Sequence, residues 1–303
     1  MKRIITLAPA LLAISLFSLS ACDQTGTAGG DAASSANASD DTISVGSSST
    51  QSASDAANSE ASVSSDASSS VAMVDFPHEA PTVLVANSGS GYTDKSNWAP
   101  GICFPLSQTP DYASSQVYSP GGDHYPSTAA TSHGSQCDSA NYSYPWHDNF
   151  CEARGWSNVL CGSGQGHQGQ DIRPTTCKKD TYWAVAAEDG TITQVGSYTV
   201  AVTGNGSPHR IYRYLHMLSA SVKVKVGDTV VRGQKLGLVS NNLGTSNGVP
   251  QYTTIHLHFE VRIAQAETLS NGTQLTASTF VPPYTALVDA YQRKLAGDCP
   301  TVE

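Results

Sequence analysis

The stretch TTIHLHFEV, residues 253–261, is the part of the sequence that decides the fold. It alternates as a half-buried β-strand does, and residues two apart on a strand point to the same face. We therefore expect Ile255, Leu257 and Phe259 to pack on one face. His256 and His258 share the other face, and two imidazoles side by side on one strand indicate chemistry.

The sequence after residue 184 predicts a mainly β fold. Its alternating, β-branched runs are separated by Gly, Asn and Asp, which is typical of antiparallel strands joined by turns. The run VKVGDTVVRGQKLG, residues 224–237, predicts a β-hairpin with a Gly-Asp turn. One short helix is predicted over residues 286–295, ending at Gly297.

The N-terminus reads as an export signal. Lys2 and Arg3 precede an apolar run that ends in LSAC, residues 19–22, and this run is too short to span a membrane comfortably. We predict a lipoprotein signal peptide at residues 1–21 and a lipidated Cys22 that anchors the protein to the membrane of the bacterial cell envelope. The domain faces the periplasm if the cell is Gram-negative, and the choice between inner and outer membrane stays open. An ordinary signal peptide with an incidental cysteine is the alternative.

Residues 22–72 are predicted to be a disordered tether. They are rich in Ser, Ala and Asp, have no aromatic residue, and bury too little apolar surface to offset the entropy of ordering. Of the formal charge of −9, residues 23–75 contribute −8 and the signal +2, so residues 76–303 carry only −3. The domain has no basic excess, which argues against nucleic acid as a partner.

The cysteines indicate an oxidising compartment. Without Cys22, six remain and none forms a C-x-x-C pair, so three disulfides are expected rather than a cysteine zinc site. The sequence does not choose among their fifteen pairings. The disulfide candidates are Cys103, Cys137, Cys151, Cys161, Cys177 and Cys299. We interpret residues 73–155 as a loop-rich extension stapled by disulfides, and residues 156–303 as the main domain.

A candidate metal site begins in GSGQGHQGQDIRP, residues 162–174. The glycines and Pro174 argue against a helix, and in a straight strand His167 and Asp171 would lie about 13 Å apart. A bend at Gly169 would bring them together. With one histidine of HLH, they make the His₂Asp set of a catalytic zinc site, which leaves the second histidine as a base beside the metal.

The remaining histidines divide into one candidate and five others. Alternation in RIYRYLHML, residues 210–218, puts Tyr212, Tyr214 and His216 on one face and Ile211, Leu215 and Met217 on or near the core face. His216 is therefore a candidate hydrogen-bond partner for an oxyanion. The other five are expected to be solvated, capping or exposed: His78, His124, His133, His147 and His209.

The order GHQGQD, YLHM, VGDTVVRGQKLG and HLHFEV resembles the lysostaphin-type, or LytM-type, zinc metallopeptidases, over about residues 155–265. The resemblance implies an antiparallel sheet with a groove, one Zn²⁺ ion, and a peptidoglycan peptide as substrate. It also implies that His167, Asp171 and His258 bind zinc, that His256 activates water and that His216 stabilises the tetrahedral intermediate. The long segment 240–254 departs from the family pattern and is expected to reshape one wall of the groove.

The sequence therefore predicts a membrane-anchored zinc endopeptidase that acts on cell-wall peptides. One alternative is a non-catalytic envelope regulator of the same fold that activates a cell-wall amidase. Another is an adaptor-like lipoprotein in which the histidines are dispersed. The bond that is cut stays open, between a D-alanyl–diaminopimelyl cross-link and a glycine-containing bridge.

Overall fold

The computed structural model describes residues 73–86, 88–113 and 135–303. The predicted signal peptide, Cys22 and the tether lie outside the described residues, as do His124 and His133. Within the described ranges, no helix combines the length and the apolar character needed to cross a membrane.

The described residues form fourteen strands, one α-helix and two short 3₁₀ helices. The strands are β1 (Tyr112–Ala113), β2 (Gln170–Arg173), β3 (Trp183–Val185), β4 (Gly190–Val195), β5 (Val200–Gly204), β6 (Arg210–Leu215), β7 (Thr229–Val230), β8 (Lys235–Leu238), β9 (Asn242–Ser246), β10 (Val249–Tyr252), β11 (Leu257–Ile263), β12 (Glu267–Thr268), β13 (Gln274–Leu275) and β14 (Phe280–Val281). The helix is α1 (Tyr284–Leu295), and the 3₁₀ helices are Ser139–Asn141 and Ser219–Ser221.

One antiparallel sheet organises the described part of the chain and confirms the predicted mainly β class. Its strands run in the order β1-β2-β11-β6-β5-β4-β7, and β14 also pairs with β11. The stretch 253–261 contains the first five residues of β11, the longest described strand, which lies between β2 and β6. His258 of β11 stands directly opposite Asp171 of β2 and Leu215 of β6, so this register brings the candidate site to the centre of the sheet.

The two faces of β6 are the reverse of the prediction. Tyr212 and Tyr214 are fully buried, whereas Ile211 and Leu215 are only partly buried. Tyr212 stacks on Phe259 at 6.2 Å between ring centroids, and the hydroxyl of Tyr214 accepts a hydrogen bond from the backbone N–H of Ala187. Because an aromatic ring buries a large apolar area once its hydroxyl is satisfied, the tyrosines take the core face.

The run 224–237 does not form the predicted hairpin. Gly227 adopts a positive φ and Asp228 closes the expected turn by accepting the N–H of Lys225, but β7 pairs with β4 and β8 pairs with β3. Both strands follow this turn and they belong to different sheets, so the turn does not join a pair of strands. In segment 240–254, β9 and β10 form a hairpin whose turn residues, Asn247 and Gly248, both have positive φ, as a two-residue turn requires.

The extension is loop-rich, as predicted, and it shares one core with the rest of the domain. Trp146 packs against Phe104 of the extension and Tyr291 of α1, with centroids 5.5 and 4.5 Å away. The helix confirms the predicted one, and Gly297 follows its end with φ of +90°. The hydrophobic packing therefore continues across the predicted boundary at residue 155.

Six cysteines form three disulfides, as expected. The pairs are Cys103–Cys299, Cys137–Cys177 and Cys151–Cys161. The Cys103–Cys299 disulfide links the extension to the segment after α1. The Cys151–Cys161 disulfide closes a short loop next to His167. The backbone N–H of Cys151 donates to the carbonyl oxygen of His167 at 3.0 Å.

Candidate metal centre

A bend at Gly169 brings His167 back toward Asp171. His167 lies before β2 and Asp171 lies within it, and their Nε2 and Oδ1 atoms are 3.2 Å apart. Gly169 is required because its backbone lies against β11, where an added Cβ would overlap the carbonyl oxygen of Phe259. The predicted bend is present, and lack of space rather than an unusual φ explains the glycine.

Three ligand atoms converge where the sequence predicts zinc. His258 Nδ1 lies 2.9 Å from His167 Nε2 and 2.9 Å from Asp171 Oδ1. All three side chains are buried, and their atoms are close enough together to hold one metal ion. Two imidazole nitrogens and one carboxylate oxygen are a ligand set typical of catalytic zinc sites.

The outer nitrogens of these two histidines fix which atoms face the centre. The Nδ1 of His167 lies 3.0 Å from the carbonyl oxygen of Asn149, and the Nε2 of His258 lies 3.3 Å from Glu260 Oε1. Each oxygen accepts a hydrogen bond from the outer nitrogen, which leaves His167 Nε2 and His258 Nδ1 as the nitrogens that face a metal ion. Together with the carboxylate oxygen of Asp171 they form a donor set that fits a metal ion, which would displace the proton of His258.

The electrostatics of His167 and Asp171 also suit metal binding. Burial lowers the pKa of His167 to about 4, so its imidazole is neutral. Burial acts to raise the pKa of Asp171, but His167 and His256 outweigh it and hold this pKa well below its usual range. Asp171 Oδ2 is buried without a hydrogen-bond partner among the described residues, and Arg154 Nη2 lies 4.0 Å from it.

Glu260 is a candidate site residue that the sequence reasoning missed. Burial lowers the pKa of His258, yet the hydrogen bonds to Asp171 and Glu260 outweigh it and raise this pKa to about 9. His258 thus carries at neutral pH a proton that a metal must displace. The signal was present in the decisive stretch, because His256, His258 and Glu260 recur at the period of two that places them on one face.

His256 lies just before β11 with its inner nitrogen toward the centre. Its Nδ1 is 2.9 Å from the carbonyl oxygen of Thr254, which assigns the proton to Nδ1. Its Nε2 lies 3.4 Å from Asp171 Oδ1. The predicted pair therefore shares one face, with His258 in the cluster that it forms with His167 and Asp171, and His256 beside that cluster.

His216 reaches the site by a route that alternation did not predict. It follows β6 with φ of +69°, a left-handed conformation that is uncommon for a residue other than glycine. The turn directs its ring to the groove, 4.7 Å from the ring of His256, and away from the core face of Tyr212 and Tyr214. The prediction that His216 shares their face was therefore wrong.

The surroundings of His216 keep it neutral and oriented. Its Nδ1 donates to the carbonyl oxygen of Asn242 at 2.9 Å, and Tyr198 stacks parallel to it at 5.8 Å. Burial, followed by the nearby His256 and His258, holds its pKa well below the usual range. The Nε2 of neutral His216 is consequently a hydrogen-bond acceptor.

The site opens onto a groove of about 480 Å³. Exposed Trp156 and Leu243 of β9 are among its lining residues, so the long segment 240–254 does contribute to a wall. Its other lining residues are Ser157, Gln168, Tyr198, Arg213, Leu215, His216, His258 and Glu260. The described histidines outside the site are the exposed His209 and the partly buried His78 and His147.

Comparison with known proteins agrees with this geometry. Residues 165–273 match the sequence model of peptidase family M23. The matched segment contains all the candidate metal-binding and catalytic residues. This segment is therefore similar to M23 peptidases. No curated protein matches the chain.

Several solved structures are similar over part of the chain. A lytM protein from Ruminococcus gnavus is 23% identical over 41% of this chain, with a TM-score of 0.33, and the match spans 47% of that protein. The catalytic domain of the antimicrobial peptidase lysostaphin from Staphylococcus simulans is 24% identical over 46% of this chain and 92% of its own length, with a TM-score of 0.30. A zinc containing peptidase from Vibrio cholerae is 28% identical over 32% of this chain and 26% of its own, with a TM-score of 0.23.

Proposed function

We propose that this protein is a zinc metalloendopeptidase that hydrolyses peptide bonds in bacterial cell-wall peptidoglycan. The observation that carries the proposal is the convergence of His167, Asp171 and His258, with His256 and His216 beside them, at one groove. The M23 match supports the peptidase class. The resemblance of the sequence motifs to LytM-type enzymes supports the peptidoglycan substrate.

The proposed ligands are His167 Nε2, His258 Nδ1 and Asp171 Oδ1. When bound, zinc supplies the Lewis acidity that polarises a peptide carbonyl and lowers the pKa of water. Around it, Asn149 and Glu260 hold the outer nitrogens of the two histidines, which fixes both rings in the orientation that metal binding needs.

His256 is the proposed general base. The carbonyl oxygen of Thr254 holds the proton on Nδ1, so Nε2 is free to accept a proton from the attacking water. Its position beside Asp171 Oδ1 gives the resulting imidazolium a buried carboxylate as a neighbour. That proton is then available to the departing amine.

His216 has a more conditional role than the resemblance implies. Because the carbonyl oxygen of Asn242 holds its proton on Nδ1, the neutral ring offers only an acceptor at Nε2. It stabilises an oxyanion only after Nε2 has taken up a proton. We therefore place His216 as the acceptor of the second proton of the attacking water, which it then donates to the departing amine.

The membrane anchor is a separate part of the proposal. Cleavage before Cys22 and lipidation would hold the domain in the cell envelope on a tether that spans on the order of 40 Å as a random coil. Cys22→Ala should release the protein from membranes, which fractionation measures. Recovery of that variant in the membrane fraction would contradict the anchor.

Digestion of purified sacculi tests the enzymatic function. Zinc-loaded wild type should release soluble muropeptides with newly exposed termini, and His258→Ala should release none and bind no stoichiometric zinc. Mass spectrometry identifies the cut bond. A wild type that binds no zinc and releases nothing, yet stimulates a cell-wall amidase, would establish the regulator instead.

A further inference from the structure

The groove face of the central sheet carries a row of charges that begins at the metal ligand. His258, Glu260 and Arg262 occupy alternate positions of β11 and so share one face. On the neighbouring strand β6, Arg213 stands directly opposite Glu260. Two guanidinium groups and one carboxylate therefore lie next to His258.

The two arginines and Glu260 in this row together carry an excess of positive charge. Glu260 turns Oε1 toward His258, and its Oε2 accepts from Arg213 Nη1 at 2.6 Å and from Arg262 Nε at 3.0 Å. Both arginines thus share one oxygen of a buried carboxylate. Counting these three side chains, one positive charge is left unbalanced beside the site.

Arg213 is the arginine that a ligand reaches. It lines the groove, and its side chain keeps 17% of its surface exposed. A guanidinium has five N–H donors in a planar fork that matches a carboxylate. Nη1 donates to Glu260, Nε is buried, and Nη2 has no hydrogen-bond partner among the described residues.

Arg262 forms a second ion pair with Glu260 and is held in place by Phe280. Its guanidinium carbon lies 4.1 Å from the ring centroid of Phe280, so the side chain is held between that ring and Glu260. Because Arg262 already compensates Glu260, the charge of Arg213 is available to a ligand.

The subsite lies close to the reacting bond. Two residues along a strand span about 7 Å, and one residue of an extended peptide spans about 3.5 Å. A peptide bond held at His258 therefore places groups within about two residues of it over Arg213.

We infer that Arg213, supported by Arg262, forms a carboxylate-binding subsite, and that preferred substrates carry a free carboxylate within about two residues of the scissile amide. The inference rests on the proposed function of the same groove. A cross-link containing a diaminopimelyl residue offers such a carboxylate, whereas the residues of a bridge made only of glycine offer none.

Two matched cross-linked peptides test the subsite, one with this carboxylate free and the other with it converted to the carboxamide. Wild type should cleave the free acid with a kcat/KM about 10- to 100-fold higher, the range expected for a charge-assisted hydrogen bond. Arg213→Gln should bring the ratio of the two close to one, and Arg213→Lys should restore part of it. Arg232→Gln, at an exposed arginine that pairs with Asp189, should keep the wild-type ratio.

Different results identify different failures. Equal cleavage of both peptides by wild type would overturn the subsite and leave the proposed function standing. If neither peptide is cleaved, the proposed function fails, and calorimetry with the same peptides still tests the subsite. Tighter binding of the free acid, lost in Arg213→Gln, supports it, and equal binding contradicts it.

Discussion

Glu260 Oε1 lies 3.3 Å from Nε2 of His258, on the side of the ring opposite the proposed ligand atom Nδ1. A buried carboxylate that holds the outer nitrogen of a ligand histidine orients the ring and increases its basicity. Burial acts to raise the pKa of Glu260, but His258, followed by Arg262 and Arg213, lowers it to about 2. Glu260 is therefore ionised wherever the protein is folded near neutral pH.

The first prediction concerns this contact. Glu260→Gln keeps the size of the side chain but removes its charge, so zinc affinity should fall about 10- to 100-fold. Competition titration against a chelator measures the change. Glu267→Gln is the matched control, because Glu267 pairs with Arg210 outside the groove. Equal zinc affinity in wild type and Glu260→Gln would show that this carboxylate does not support the ligand.

The two imidazoles beside the ligands should separate metal binding from turnover. His256→Ala removes the proposed base but no ligand, so zinc should stay bound while kcat falls about 10²- to 10⁴-fold. Metal analysis and muropeptide release are measured on the same preparation. His209→Ala, at an exposed histidine, is the control. Cleavage by His256→Ala at the wild-type rate would remove His256 from the mechanism.

Gly169→Ala should damage the site through the backbone. The new Cβ would overlap the carbonyl oxygen of Phe259 and push β2 from β11, which should cost about 1–3 kcal/mol in the free energy of unfolding. Zinc affinity should fall as well, because the bend positions His167. Gly162→Ala is matched, since a Cβ there meets nothing within 4 Å. Denaturant unfolding compares them, and equal stability of the two variants would contradict the packing argument.

A pH-dependent prediction concerns the buried pair of Lys294 and Asp111, whose Nζ and Oδ2 atoms are 3.1 Å apart. Burial raises the pKa of Asp111 to about 6, although Lys294 lowers it. Protonated Asp111 therefore favours the folded state. The stability that it contributes is lost as the pH rises through about 6. Lys294→Met removes the compensating charge and should destabilise the protein by about 3–5 kcal/mol at pH 8.

The loss should be smaller at pH 5, where Asp111 takes up a proton. Unfolding at both pH values measures this difference, with Lys178→Met, at an exposed lysine, as the control. A penalty that is the same at pH 5 and pH 8 would show that the charge of Asp111 is not the cause.

The parts of the site that follow a regular period could be predicted from the sequence. His256 and His258 share a face because a strand repeats every two residues, and the bend at Gly169 was needed to bring His167 and Asp171 together. Glu260 obeys the same period and could have been predicted with them.

Other features depend on contacts between distant residues. The φ of +69° at His216 breaks the alternation of β6, and nothing in RIYRYLHML indicates where that break falls. Spacing did not determine the three disulfide pairings either, since Cys103 and Cys299 are 196 residues apart. The core packing of Trp146 depends on α1, far along the chain.

The Cys103–Cys299 disulfide closes a covalent ring around both the groove and the sheet. A single proteolytic cut at a surface turn inside that ring, such as the one at Asn247 and Gly248, would leave two fragments that still cannot separate. Every site residue would stay attached to the same molecule, and the extension would remain bound to the segment after α1. A single backbone cut inside the ring therefore does not separate any candidate site residue from the rest of the molecule until the disulfide is reduced.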